Sequence, residues 1–95
     1  MLVEPRKNGD VVTIKTIGNE EIIGTQVDIT DLHVIVDKPM TAIMHENGMG
    51  LMPYVMTVSP ETKVKINKSL VVVHEKTAKP IADEYKKNTS TIATI

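Results

Sequence analysis

VVTIKTIGNEEIIGTQVDITDLHVIVD (residues 11–37) decides the fold of this chain. Three runs of alternating apolar and polar residues lie in it, separated only by Gly18-Asn19 and Thr30-Asp31. Alternation with a period of two is the mark of a strand with one buried side, and Gly, Asn and Asp supply the turns between such strands. The stretch therefore predicts a strand–turn–strand–turn–strand meander. Gly24 falls inside the middle run, where a missing side chain marks a bend or a close backbone approach. A small, sharply bent sheet tends toward a barrel.

Working outward, residues 11–17, 21–29 and 32–44 form the first three expected strands, the third bent at Pro39. In the second, Ile23, Val27 and Ile29 share one side while Gln26 and Asp28 share the other. Residues 50–58 form a fourth strand, with Pro53 placing it at an edge because proline cannot donate to a ladder. Residues 64–75 form a fifth, irregular at Asn67-Lys68-Ser69. Asn47-Gly48 predicts the hairpin loop between the third and fourth strands. That loop puts Met40, Ala42 and Met44 on one face with Leu51, Pro53 and Val55, and Thr41, Ile43 and His45 on the other with Met52, Tyr54 and Met56. Both faces of the hairpin are then largely apolar. A five-stranded domain buries only one of them, so a partner subunit or the C-terminal segment must cover the other.

That segment, PIADEYKK (residues 80–87), reads as a short helix of about residues 80–88, with proline in its first turn, acids early and lysines late. Ile81 and Tyr85, spaced i, i+4, would pin it to the sheet. The expected fold class is thus all-β: a five-stranded, strongly bent antiparallel sheet or open barrel with a short C-terminal helix. All 95 residues make one domain, with its core over about residues 10–75.

Composition narrows the function classes. A chain of this length buries only about 60–65% of its unfolded surface. Tyr54 and Tyr85 are its only aromatics, so Val, Ile, Leu and Met must fill the core. There is no cysteine, hence no disulfide framework and no thiolate metal site, which suits a reducing compartment. Charge arrives at Glu4, before any apolar run long enough for a signal peptide or membrane span, and the expectation is a cytoplasmic protein without membrane contact. The net charge of -1 hides a split: residues 1–59 carry -4 and residues 60–95 carry +3. Such asymmetry gives one face a positive field for a polyanion, offers complementary edges for self-association, or is scattered solvated charge.

Signatures of catalysis are missing. His33, His45 and His74 sit on separate expected strands without metal-ligand spacing, Ser59 and Ser69 lack a nucleophile elbow, and no glycine-rich phosphate loop follows a strand. No enzyme activity, cofactor or metal is expected. Two polar turns remain, around residues 28–33 and 67–69. Meeting at one rim, they would offer acceptors from Asp28 and Asp31, a stackable ring from His33, an amide from Asn67, a cation from Lys68 and a hydroxyl from Ser69. Such a set suits the base edges and phosphates of a single-stranded nucleotide. Read locally, the same residues are ordinary turn formers.

Five strands in a bent meander, with Gly24-Thr25, then Asp28 or Thr30, then His33 across the second turn, resemble the Sm and Sm-like (LSm, Hfq-type) family. Ile66-Asn67-Lys68-Ser69 ahead of Leu70-Val71-Val72-Val73 stands where that family places Ile-Arg-Gly before its last strand. The resemblance covers about residues 10–75, and the composition is also similar to that of short Sm-like proteins of T4-type phages, which would place the chain in a host cytoplasm. It implies a homo-oligomeric ring of about five to seven subunits with the fourth strand of one copy against the fifth of the next. On that pattern Met52, Tyr54, Met56, Leu70 and Val72 would lie at the subunit interface, and the two turns would form a rim for single-stranded RNA. The other reading is a ring or adaptor that binds only protein, using the Met-rich hairpin as an adaptable apolar surface.

Overall fold

A computed structural model describes residues 6–93. It contains β1 (Val11–Thr16), β2 (Glu21–Ile29), β3 (His33–His45), β4 (Gly48–Pro53), β5 (Val64–Asn67), a 3-10 turn (Lys68–Leu70), β6 (Val71–Lys76) and α1 (Lys79–Ala93). All strand pairs are antiparallel, in the order β4-β3-β2-β1-β6, with β5 paired to β3 off that path. The sheet is open, with β4 and β6 at its ends.

Six strands replace the five expected. The single strand anticipated over residues 64–75 is cut by the 3-10 turn, and its halves serve different partners: β5 lies on β3 and β6 on β1. Asn67 causes the cut, its side-chain Oδ1 accepting from the backbone N–H of Ser69 at 2.9 Å and so opening the turn. The expected fourth strand over residues 50–58 instead spans residues 48–53 and stops at Pro53. Residues 54–63 then arc away as a loop, tied back by the Tyr54 N–H to the Pro39 carbonyl at 3.0 Å.

The hairpin register also differs from expectation. His45 pairs with Gly48 and Met40 with Pro53, so the loop residues are Glu46 and Asn47. Gly48, at φ 115, begins the return strand, and Asn47 does not take positive φ. Because the register moved by two residues, each side chain keeps its predicted face.

Two apolar clusters result, one on each side of the same strands. The inner one joins Val12, Ile14, Ile22, Val34, Val36 and Ile66, with Tyr54, Val64 and Val71 against it. The outer one joins Val11, Ile23, Met40 and Tyr85, with Ala42, Leu51, Ile81 and Ala82. Full burial of each aliphatic side chain contributes about 1.5–3 kcal/mol. Gly24 stands where β2 and β3 pass most closely: a Cβ there would lie 3.1 Å from Val36 Cβ and 3.4 Å from the Asp37 carbonyl oxygen. Register shifts flank it in β2, and β3 turns just opposite, through Lys38 at φ 48 and Pro39. Gln26, expected on the solvent side with Asp28, falls on the side of Ile22 and is 2% exposed, bonded to Asn8 and His74, while Asp28 stays exposed and, on the side expected to be buried, Val27 is only half-buried and Ile29 exposed.

Ile81, Ala82 and Tyr85 of α1 pack in one cluster with Met40, Ala42 and Leu51, so the helix covers the base of one hairpin face, while Met44 on that face and Ile43 on the other stay exposed. Ile81 and Tyr85 make the anticipated contacts. The Tyr85 hydroxyl sits 3.0 Å from the Asp37 carbonyl, 2.9 Å from that of Lys38 and 3.2 Å from Thr25 Oγ1. The helix is longer than expected, running from Lys79 to Ala93, and Thr89 Oγ1 donates to the Tyr85 carbonyl at 3.0 Å. Its charges consequently do not match the helix dipole: the first turn opens on Lys79 and holds no acid, and the last holds no base, Lys86 and Lys87 falling mid-helix.

Candidate nucleic-acid interface

The two polar turns meet. His33, first in β3, pairs with Asn67, last in β5, and the Lys68 N–H donates to the Leu32 carbonyl at 2.8 Å. The first turn is held by Thr30. Its Oγ1 accepts from the N–H groups of His33 at 2.9 Å and Leu32 at 3.3 Å, and its own N–H donates to the His33 carbonyl at 2.9 Å. That leaves Asp31 out of the turn's own bonding. The second turn is the 3-10 turn capped by Asn67.

The six candidate residues divide accordingly. Asp28 Oδ1 accepts from the Ile29 N–H at 2.9 Å and Asn67 Oδ1 from Ser69, so both side chains do local turn work. The Asp31 carboxylate, the His33 ring and the Lys68 ammonium have no side-chain hydrogen bond or ion pair among the described residues, and Asp31 and Lys68 are exposed. Asp28, Asp31 and Lys68 together leave one net negative charge, so the field of the two turns by themselves repels phosphate. Ser69 is exposed and contributes its backbone N–H to the cap.

Beside the turns lies a crevice of about 430 Å³ lined by His33, Asn67, Leu70, Tyr54, Ile66 and the β1–β2 turn residues Thr16, Ile17, Gly18 and Glu20, among others. One wall is the unpaired edge of β5. In an antiparallel ladder hydrogen-bonded pairs alternate, and the Lys68–Leu32 bond sets the phase, so the N–H and C=O of Lys65 and Asn67 point away from β3 toward this edge. Across it, the Ile17 N–H donates to the Leu70 carbonyl at 2.9 Å, joining the β1–β2 turn to the 3-10 turn. The Tyr54 phenol is pushed above its ordinary pKa, first by burial and then by the Glu20 carboxylate, and stays a neutral hydroxyl.

The five residues anticipated at a subunit interface are scattered. Tyr54 and Leu70 share the crevice, Tyr54 leaning on the inner cluster; Met52 is half-buried on β4. Met56 is exposed on the loop after β4 and lines a different cavity. Val72 is 63% exposed on the end strand β6, turned out by a register shift opposite Lys15 and Thr16.

Sequence reasoning missed the β1–β2 turn as part of this site: Gly18-Asn19 signalled only a turn, and no periodicity tells which turns become neighbours. It missed equally a polar cluster around Gln26. There Gln26 Nε2 donates to Asn8 Oδ1 at 3.1 Å and Gln26 Oε1 lies 2.9 Å from His74 Nε2. With the amide so oriented, His74 must donate from Nε2. Its pKa is lowered first by burial and then by the Arg6 guanidinium, against an opposing pull from Glu75, with Lys68 adding the smallest lowering effect. No group of three or more His, Cys, Asp or Glu that could hold a metal occurs among the described residues, and no helix there is long and apolar enough to cross a membrane. No protein-family model and no curated protein matches the chain.

Proposed function

We propose that this chain is the non-enzymatic subunit of an Sm-like homo-oligomeric ring that binds single-stranded RNA at the rim formed by its joined turns. The observation that carries this reading is the Lys68–Leu32 bond, which sets the His33 ring and the Lys68 ammonium on adjacent turns beside an unpaired strand edge. An imidazole stacks on a base while an ammonium meets the neighbouring phosphate. Repeated around a ring, one such weak site per subunit gains by avidity. The free edges of β4, β5 and β6 supply backbone donors and acceptors for pairing between copies. Binding of short U-rich and A-rich RNA, followed by fluorescence anisotropy against salt, tests it. Affinity should fall with rising salt, and Lys68→Gln should reduce the log–log slope by about one per contacted phosphate. RNA left unbound at low ionic strength refutes the RNA half.

A second reading, a ring or adaptor that binds only protein, is favoured by a different observation. Around the turns Ile17 is 69%, Leu32 64% and Leu70 43% exposed. Aliphatic side chains at a rim shared with Asp28 and Asp31 suit a protein surface better than a phosphate backbone. Leu32→Lys separates the two: it tightens RNA binding on the first reading and creates none on the second.

A further inference from the structure

The loop over residues 54–63 does more than join β4 to β5. Together with the bend of β3 it borders a half-open cavity of about 340 Å³, lined mainly by Met40, Pro53, Val55, Met56, Val58 and Val64, with Ser59 and Thr62 among its few polar neighbours. That volume lies at the small end of small-molecule sites, roughly 300–1,000 Å³. Loops are ordinarily polar, yet this one directs Val55, Met56 and Val58 outward or into the cavity while each stays at least partly exposed.

One cation borders this apolar space. Lys38 lines the cavity, and among the described residues its ammonium has neither a hydrogen bond nor an ion pair. Its backbone is in the left-handed region at φ 48, where glycine or asparagine would be the unstrained choice. The strain is held from behind, since the Tyr85 hydroxyl bridges toward the carbonyls of both Asp37 and Lys38. A strained, supported position that places a lysine in the wall of an apolar cavity is the arrangement expected of a ligand clamp.

We infer that this cavity binds an amphiphilic monoanion of the aliphatic-carboxylate class, its chain among Met40, Val55, Val58 and Val64 and its carboxylate on the Lys38 ammonium. A neutral amphiphile of the same length would bury the same chain but lose the charge-assisted hydrogen bond. The site does not depend on the RNA reading, for it lies on the β4–β5 loop and shares only Val64 with the crevice beside the turns.

Titration of the full chain with decanoate, decanol and decyltrimethylammonium, read by calorimetry and by amide chemical shifts, tests it. Decanoate should bind saturably, with shifts confined to residues 38–40 and 53–64, and about tenfold or more tighter than decanol; the cationic amphiphile should not bind there. Lys38→Gln, which keeps the same backbone strain, should cut decanoate affinity to the level of decanol, and Lys38→Arg should restore most of it. Equal binding of decanoate and decanol, an unaltered affinity in Lys38→Gln, or shifts located at the turns instead would overturn the assignment. So would the absence of saturable binding in a variant-free sample whose dispersed amide spectrum shows it folded.

Discussion

The inner and outer faces of this sheet are built from the same strands and hold together in different ways. The inner cluster is wholly aliphatic at its centre and drawn from β1, β2, β3 and β5, so every strand pair that registers correctly adds to it. On the outer face, Val11, Ile23 and Met40 are closed over by a helix that contributes one fully buried side chain, Tyr85, 1% exposed, with Ile81 and Ala82 only partly buried beside it. The inner face is redundant, whereas the outer depends on a single anchor and three hydroxyl contacts.

Substitutions should break that contrast in order of size. Ile22→Ala, at the inner centre, is expected to cost about 2–5 kcal/mol and to lower the global unfolding midpoint in denaturant. Gly24→Ala comes next. Its Cβ would press on the Val36 side chain and the Asp37 carbonyl, and neither strand can retreat without losing its pairing, so a loss of about 1–3 kcal/mol is expected in the same assay. Tyr85→Phe removes only the hydroxyl, leaving the Asp37 and Lys38 carbonyls short of a donor, for about 1–2 kcal/mol. Hydrogen exchange should show that loss as earlier opening of α1 with the inner strands still protected. Equal loss of protection on both faces would show that they are one cooperative unit.

The smallest effect is one of pH. His74 has a folded pKa below its ordinary 6.5, so the unfolded chain takes up a proton more readily than the folded one. Its contribution is therefore intact above about 6.5 and is lost as pH falls from there through the lowered value. Melting temperatures of the wild type and of His74→Gln should run parallel above neutrality, and only the wild type should gain this extra slope as the pH drops below that range.

Much of this contrast was legible in residue order. Alternation in residues 11–37 located β1, β2 and the start of β3, and Ile81 and Tyr85 announced the docking side of α1. The hairpin illustrates how a wrong pairing leaves a right face: a shift of two residues preserves the period of two. What alternation could not tell was where a strand stops. Pro53 was readable as an edge signal but also as a terminator, and only the return of the chain to Pro39 decides between them. Asn67 likewise reads as an irregularity within a strand until its side chain is seen to cap a turn. Helix length escaped because Thr89 lies in a β-favouring stretch yet is buried and bonded to the Tyr85 carbonyl. The meeting of the two polar turns was anticipated. The crevice beside them was not, since it needs the β1–β2 turn, which is distant in sequence.

The proposal that copies of this chain join edge to edge rests on strand edges left unpaired in the single subunit. Light scattering behind size exclusion, with absorbance recorded at the nucleic-acid and protein maxima, reads both the assembly and its cargo. The account predicts a mass several times that of the 10.5 kDa chain, with excess nucleic-acid absorbance that high salt removes. A single peak at the mass of one chain, unchanged across concentration, would contradict it.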